Sequence, residues 1–448
     1  MSRFRENLSL QLSKLINVIL ITAPFFACWY LYYATHLYRA FFRKGNWAMI
    51  LLFVLLYYIL VRVYDGLHVS LNRISEMVYS QALAFLITDG VMYIVICILT
   101  RHLAVLWPGL LCILAQCILS VIWGLFAHRW YFRVYPPERS AVVYGQDEEL
   151  ASLIEAYGLA KKFDVQLTLS VEDCLEDPDR LNGYATVFLS GVHSKERNII
   201  LKHCIEHDIT MYITPRIGDV IMSGAKQMHM FHLPMLYVGR YSPPPMYLGL
   251  KRASDLLISA LALLLLSPLL LITAIAIKAT DGGPVFYRQV RLTKDGREFK
   301  ILKFRSMRVD AEKDGVARLS TGENDSRITP VGRIIRKIRL DELPQLFNVL
   351  SGDMTLIGPR PERPEIAKEY EKIMPEFRLR LQAKAGLTGY AQVYGKYNSS
   401  PYDKLRMDLM YIANPSVFED IRILFATVKI LFMPESTEGV AEGKTTAL

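Results

Sequence analysis

LLISALALLLLSPLLLITAIAI (residues 256–277) runs for 22 residues without Asp, Glu, Lys or Arg. Lys251, Arg252 and Asp255 precede it and Lys278 comes directly after it. By length it crosses a bilayer. Ser267-Pro268 stands at its centre, however. An interior proline removes a backbone hydrogen bond and clashes with the preceding turn, so it kinks or breaks a helix. The downstream segment is dense in basic residues: Lys300, Lys303, Arg305, Arg308, Arg327, Arg333, Arg336, Lys337, Arg339, Arg360 and Arg363. A kinked spanning helix would carry that block outside the cell. A re-entrant hairpin over 256–278, entering and leaving by one leaflet, keeps it on the cytoplasmic face, where basic residues accumulate and phosphate ligands are found.

Upstream, four more apolar runs precede this one. Leu15–Leu37 is uncharged, Gly45–Val61 is shorter with Arg62 able to snorkel at its end, Met77–Thr100 is interrupted only by Asp89, and Leu103–Ala127 closes at Arg129 and Arg133. The first is too long for a cleaved signal peptide and lacks a small-residue cleavage site after it. With the N-terminus inside, the inner segments carry Arg3, Arg5, Lys14, Arg62, Arg73, Arg129, Arg133 and Arg139, against Arg39, Arg43, Lys44 and Arg101 outside. Eight against four favours a cytoplasmic N-terminus, and four spans return the chain to the cytoplasm. Asp89 reads either as a functional intramembrane carboxylate or as a partner for a polar neighbour in the bundle.

Composition agrees. Of 448 residues, 52% are hydrophobic and 21% charged, against about 45–50% and 25% in a soluble protein, so apolar surface faces lipid. At roughly 150 residues per domain the length suggests about three domains. The net charge of +9 comes from Lys and Arg spread along the chain. A nucleic-acid partner would more often be met by one concentrated basic domain, so none is expected, and a membrane surface or phosphorylated substrates fit better. The six cysteines form no close CxxC pair, and no zinc site or disulfide framework is expected.

After Tyr135-Pro136-Pro137 the pattern becomes that of an α/β unit. Ser140–Gly145, Val165–Leu169, Thr186–Leu189 and Ile209–Ile213 read as strands, and Asp147–Tyr157 and Lys195–Glu206 as helices, which suggests a parallel sheet of Rossmann type. The dinucleotide fingerprint is missing: Gly145 is followed by Gln146-Asp147-Glu148-Glu149, whose carboxylates would repel a pyrophosphate. The module reads as a degenerate structural or regulatory unit, closed by the linker Ser242-Pro243-Pro244-Pro245.

The chemistry lies further on. In Arg339-Leu340-Asp341-Glu342-Leu343-Pro344, two carboxylates stand among basic residues. Arginines nearby are expected to lower a carboxyl pKa and keep it ionised. An ionised Asp can attack a phosphoryl group, and a carboxylate beside it can hold Mg²⁺ against a diphosphate. Gly358-Pro359-Arg360-Pro361-Glu362 forms a rigid turn whose Arg360 fork suits phosphate oxygens. Either stretch alone would more often be a salt-bridged turn or an ordinary loop.

From about Lys251 to Phe432 the chain resembles the bacterial sugar transferases, the monotopic polyprenyl-phosphate hexose-1-phosphate transferases that start exopolysaccharide, capsule or O-antigen synthesis. The resemblance rests on KRASD (251–255), the apolar hairpin with Ser267-Pro268, GGPVFYRQVR (282–291), KFRSM (303–307), DSRITPVG (325–332), LDELPQLFNVLSGDMTLIGPRPE (340–362) and GLTGYAQVYG (386–395). The four helices and degenerate module upstream resemble the large members of that family. The resemblance implies four parts: a transmembrane four-helix bundle (1–137), a non-catalytic Rossmann-like module (138–245), a phosphoglycosyl transferase domain (246–434) and a disordered tail (435–448).

It also implies a reaction. Hexose-1-phosphate passes from a UDP-hexose, expected to be UDP-glucose or UDP-galactose, to undecaprenyl phosphate with release of UMP. Asp341 would be the nucleophile that forms a phosphosugar intermediate, and Glu342 the Mg²⁺ ligand, with or without Asp341, or its orienting partner. Lys303 and Arg305 would hold phosphates, Arg336 or Arg339 would offset developing charge, and Arg360 would sit on the phosphate-contacting loop. Lys251 and Arg252 would anchor the hairpin at the interface, either as ordinary anchors or in contact with the lipid phosphate. The implied location is the bacterial inner membrane with catalysis on its cytoplasmic face. The front bundle and the middle module offer surfaces for a homodimer.

Val417–Phe432 reads as a helix lying on the membrane. Two other functions compete. A non-enzymatic membrane scaffold or assembly regulator would need neither Asp341-Glu342 nor the 358–362 loop, and a nucleotide-sugar oxidoreductase would need a glycine-rich turn after Val143.

Overall fold

The computed structural model describes residues 2–145, 149–308, 327–395 and 400–431. Gln146–Glu148, Asp325-Ser326, Phe432 and the 435–448 tail lie outside the described residues. The chain divides into two compact units, Met1–Thr214 and Pro215–Leu448.

The first unit begins with α1 (Ser2–Leu31), α2 (Arg43–Val63), α3 (Ile74–Thr100) and α4 (Trp107–Val134), each long and apolar enough to cross a membrane. Helix α1 starts well before the uncharged run and ends before it does. Arg3, Arg5, Glu6 and Lys14 are compatible with helix beyond a bilayer, whereas Tyr33–Thr35 tightens into a 3-10 turn. Residues 103–106 likewise precede α4. Many large apolar side chains point outward, among them Leu51, Ile98, Leu110 and Phe126. Polar groups are turned inward instead. Tyr57 donates to Asn17 (2.8 Å), Asn17 and Ser120 both donate to Gln81 Oε1 (3.1 and 2.7 Å), and Gln81 donates to the Gly66 carbonyl (2.8 Å). This inversion is what lipid as the outer solvent selects: amide and hydroxyl groups find partners between helices. Asp89 lies in the same bundle beside Gln116.

The unit continues as β1 (Glu138–Tyr144), α5 (Glu149–Ala156), β2 (Phe163–Ser170), α6 (Val171–Glu176), β3 (Thr186–Ser190), α7 (Ser194–Glu206) and β4 (Thr210–Ile213). The four strands are parallel in the order β2-β1-β3-β4, so the order reverses between β1 and β3, where doubly wound sheets place ligands. Here the loops after these two strands close on each other. Gly145 N–H donates to the Ser190 carbonyl at 2.9 Å, and a Cβ on Gly145 would stand 2.5 Å from the Gly191 oxygen.

The second unit contains α8 (Ile217–Ser223), the hairpin β5 (Lys226–Met230) and β6 (Leu233–Tyr237), and α9 (Pro245–Asp281). Then come the hairpin β7 (Phe286–Leu292) and β8 (Glu298–Phe304), α10 (Pro330–Lys337), α11 (Gln345–Ser351), β9 (Thr355–Ile357) and α12 (Pro364–Ile373). The chain closes with β10 (Gly386–Thr388), α13 (Tyr390–Tyr394), α14 (Pro401–Ala413) and α15 (Val417–Leu431). Ile217 and Val220, ahead of the proline-rich linker, already belong to this unit's core with Val349, Met354, Leu356, Leu405 and Ile423.

Helix α9 passes through Pro268 without leaving helical geometry. The proline leaves the Leu264 carbonyl without its backbone donor, and the Ser267 hydroxyl takes that place at 2.8 Å. Its two halves pack against two different clusters of the second unit. Ile258, Ala262 and Leu263 pack against the cluster around Val349, whereas Leu270, Ala274 and Ile277 pack with Phe304, Ile335 and Leu340. Among residues 260–272 none is buried.

Candidate active site

Two local devices build the Asp341-Glu342 turn. Thr329 caps α10 by accepting from Gly332 N–H at 2.9 Å, with Pro330 in its first turn. The chain then leaves α10 through Arg339, whose backbone is left-handed at φ 54°. That conformation is costly for a side chain with a Cβ and persists where the surroundings impose it. Here it turns Leu340 into the cluster with Ile277, Phe304 and Ile335, and presents the next two residues as one 3-10 turn.

Strand alternation supplies the first cation. In β8, Phe299 and Ile301 are buried, and Lys303 shares their face. Its ammonium therefore lies under the turn and donates to Glu342 Oε1 at 2.9 Å. Asn348 of α11 holds the strand edge, accepting from Leu302 N–H (2.9 Å) and donating to the Lys300 carbonyl (3.0 Å). The second cation is Arg360, whose Nη2 donates to the same oxygen at 2.9 Å. Arg339 stands 3.9 Å from Oε2.

The loop that carries Arg360 is set by bare backbone. Gly358 N–H donates to the Thr388 carbonyl at 2.9 Å, and a Cβ on Gly389 would collide with the Gly358 oxygen. Buried cations tie the loop from beneath. Arg291 Nη1 donates to the Pro361 carbonyl and to Glu362 Oε1, both at 3.1 Å. Arg380 Nη2 donates to the Arg360 carbonyl at 2.9 Å and pairs with Asp408 at 2.6 Å. That pair is almost wholly buried, with side-chain exposures of 8% and 1%.

The two carboxyls of the dyad are driven apart. Burial pushes Asp341 up to about 6, the Glu342 charge adds to this, and Lys303, Arg336 and Arg360 only partly offset it. Burial also raises Glu342, but Arg360, Lys303 and Arg339 outweigh it and hold Glu342 well below the usual carboxylate range. The sequence-based expectation of a lowered Asp341 is thus corrected in direction only: the ion pairs fall on Glu342, and Asp341 is raised to about 6, still a carboxylate at neutral pH. Burial lowers Lys303, an effect that Glu342 counteracts, and the Glu342 charge raises Arg360.

Asp341, Glu342, Lys303, Arg339 and Arg360 are therefore brought together, with Arg336 felt electrostatically by Asp341. Arg305 is turned to Asp281 at the end of α9, and a Cβ on Gly283 would collide with its guanidinium. Lys251 pairs with Asp420 at 2.9 Å, both side chains largely buried, and donates to Tyr411 at 3.0 Å. Arg252 donates to the carbonyls of Val349 (2.7 Å) and Leu350 (2.9 Å). Ser267 and Pro268 sit midway along α9.

Sequence reasoning missed Arg291, Arg380 and Asp408, whose partners are distant in the chain. It also missed Asp255, which accepts from Thr355 Oγ1 (2.7 Å) and Leu356 N–H (3.0 Å). One further group was legible as a His-x₃-His spacing near the end of α7. Asp179, His203 and His207 bring ligand atoms within 4.8 Å of one another and could hold a metal ion.

The profile of the bacterial sugar transferase family matches residues 246–434. An exopolysaccharide production protein of Rhizobium leguminosarum is 42% identical over 194 residues, covering 41% of this chain and 95% of that protein. This chain belongs to the bacterial sugar transferase family. A UDP-N-acetylgalactosamine-undecaprenyl-phosphate N-acetylgalactosaminephosphotransferase of Aeromonas hydrophila is 38% identical over 234 residues, 52% of this chain and 54% of the other. A UDP-glucose:undecaprenyl-phosphate glucose-1-phosphate transferase of Escherichia coli is 40% identical over 212 residues, 46% and 44% respectively. The chain thus spans about half the length of several curated relatives it matches. The matched region of this sugar transferase contains the dyad, the Arg360 loop and all of α9 but its first residue. Its long apolar helices make it a multi-pass protein of the bacterial inner membrane.

Proposed function

We propose that the protein transfers hexose-1-phosphate from a UDP-hexose to undecaprenyl phosphate, an early membrane step in exopolysaccharide, capsule or O-antigen synthesis. The observation that carries this reading is the half-buried carboxylate pair, its Asp341 pushed up to about 6 by burial and its Glu342 held low by Arg360, Lys303 and Arg339, which ring it. The names of the relatives span glucose, galactosyl and N-acetylgalactosamine transfer, so the hexose is the variable part.

In the first step the Asp341 carboxylate attacks the phosphorus that bears the sugar. The bridge to the uridine-side phosphate breaks, and UMP leaves with that oxygen. The hexose-1-phosphate is now an acyl phosphate on Asp341. In the second step a phosphate oxygen of undecaprenyl phosphate attacks the same phosphorus, frees the carboxylate and forms the lipid diphosphate sugar. Lys303 and Arg360 hold the diphosphate and stabilise charge that develops on it, since both already face a buried carboxylate in low dielectric. Arg336 and Arg339 offset charge from the α10 side. Arg305, next to Asp281, serves the phosphates from the α9 end.

The donor set fits Mg²⁺, which is met by one or two carboxylates together with substrate phosphates. Among the described residues, Glu342 Oε1 pairs with Lys303 and Arg360, and Oε2 with Arg339 at the longer 3.9 Å. Glu342 through Oε2, with Asp341, would hold the ion. Bound there, Mg²⁺ neutralises the diphosphate and its leaving group.

We read the four front helices as spans, α9 as the re-entrant hairpin and residues 138–214 as a non-catalytic module, short of the expected 245 because Ile217 and Val220 pack in the second unit's core. Packing of both halves of α9 against clusters of the second unit, with exposed residues and Pro268 between them, supports the hairpin. It would hold the reaction centre at headgroup level, with Lys251 and Arg252 fastening its start. A tag after Lys278 should then be accessible from the cytoplasm; access only from the far side would overturn the hairpin.

Purified protein with Mg²⁺, undecaprenyl phosphate and a panel of UDP-hexoses should release UMP with at least one sugar, and Asp341→Asn should abolish it. UMP release at the normal rate in Asp341→Asn would overturn the nucleophile assignment. No release with any UDP-hexose would overturn the activity.

A further inference from the structure

We infer that the first unit holds a second metal site, built from Asp179, Asn182, His203 and His207, which takes a transition-metal ion of the Zn²⁺ class. The site does not depend on the proposed transferase reaction.

His203 and His207 lie four residues apart at the C-terminal end of α7, so both imidazoles project from one helix face. Their ring centroids are 4.2 Å apart and inclined by 30°. His207 Nδ1 lies 2.9 Å from the His203 carbonyl. A carbonyl only accepts, so Nδ1 carries the hydrogen and Nε2 presents its lone pair. This is the orientation that metal-binding histidines take when a backbone carbonyl fixes their tautomer. The turn 178–182 faces them. His203 Nε2 is 3.2 Å from Asn182 Oδ1, and Asn182 Nδ2 donates to Asp179 Oδ1 at 3.0 Å.

An N and an O bound to one tetrahedral Zn²⁺ at about 2.0–2.1 Å lie roughly 3.3 Å apart. The His203–Asn182 separation of 3.2 Å therefore matches the spacing of two ligands of one ion, once His203 Nε2 loses its proton and the ring turns to aim its lone pair beside Oδ1. Asp179 and His207 need only a small closing movement, since the ligand atoms of the three charged or ring residues lie within 4.8 Å. Asp179 and His207 are exposed, and Asp179 exchanges its hydrogen bond from Asn182 for the ion as it moves. The carbonyl end of α7 favours positive charge. Two imidazoles select Zn²⁺, Co²⁺, Ni²⁺ or Cu²⁺, whereas Mg²⁺ prefers oxygen ligands alone. An ion here would bind the 178–182 turn to α7 and stabilise the module by linkage.

The test is equilibrium dialysis of the full-length protein in detergent against Zn²⁺ with a large excess of Mg²⁺, which covers oxygen-only sites. Bound zinc is then measured. The wild type should hold one equivalent more than the His203→Ala/His207→Ala variant, and Co²⁺ should give tetrahedral d–d absorption in the wild type alone. The variant's circular dichroism checks its fold. Asn182→Asp, which replaces a neutral ligand with a charged one, should tighten Zn²⁺ binding by about tenfold or more. Equal zinc content in the wild type and the double variant would overturn the site. So would unchanged affinity in Asn182→Asp.

Discussion

Two junctions in this molecule share one backbone device. In the first unit, the loops after β1 and β3 meet where Gly145 N–H donates to the Ser190 carbonyl. In the second, the loops after β9 and β10 meet where Gly358 N–H donates to the Thr388 carbonyl. Both bonds are 2.9 Å, both extend a parallel pair by one residue, and both junctions rely on glycine where a Cβ would strike backbone. The outcomes differ. At Gly145 the contact lies beside the point where a doubly wound sheet would receive a ligand. At Gly358 it fixes the loop that delivers Arg360 to Glu342, with Arg291 and Arg380 bonded to the loop's own carbonyls. The glycine contact is a packing solution; the buried cations around the second one make it a site.

The largest expected effect tests whether chemistry resides only at the second junction. Asp341→Asn should lower UMP release by about a thousand-fold or more, as expected for loss of a nucleophile, while purified protein keeps its circular dichroism. Next, Asp408→Asn leaves Arg380 buried beside a neutral group and should destabilise the second unit by about 3–5 kcal/mol. Denaturation monitored with the full chain in detergent would show no such loss if the pair were dispensable. The third test breaks the comparison directly. Gly358→Ala and Gly145→Ala should each cost about 1–3 kcal/mol by overpacking, but only Gly358→Ala should also slow the folded enzyme. An equal kcat loss in both would mean that the first junction also serves the reaction.

The smallest effect is in pH. Burial raises Asp341 to about 6, and the nucleophile must be the carboxylate. Thus kcat/KM should be flat above that value and fall about tenfold per unit below it. Raising the Mg²⁺ concentration should move the midpoint down, because a cation favours the charged form. A profile flat to pH 4 at the lowest Mg²⁺ that supports turnover would show that Asp341 is ionised throughout.

Much of this was legible in the chain. The strand candidates at 140–145, 165–169, 186–189 and 209–213 all overlap strands of the parallel sheet, because β-branched runs between turn residues carry a local signal. Apolar runs located the long helices, although their ends moved wherever charged residues continued a helix. At the site, the motifs named Lys303, Asp341, Glu342 and Arg360, and the structure gathers all four. The supports escaped notice: Arg380 and Asp408 are ordinary charged residues on 3-10 and α-helical turns, and only folding turns them toward each other.

Amino-acid order alone determined where apolar surface accumulates, which segments alternate and which residues could carry charge to a phosphate. Those properties are local, set by periodicity and residue type. The protonation of the dyad was decided only by the tertiary structure. Asp341 and Glu342 are neighbours in one turn, yet Lys303 from β8 and Arg360 from the loop after β9 both bond Glu342, and burial acts on Asp341 with less compensation. Electrostatic energy depends on distance and desolvation, and the chain acquires both only when its distant strands and loops come together.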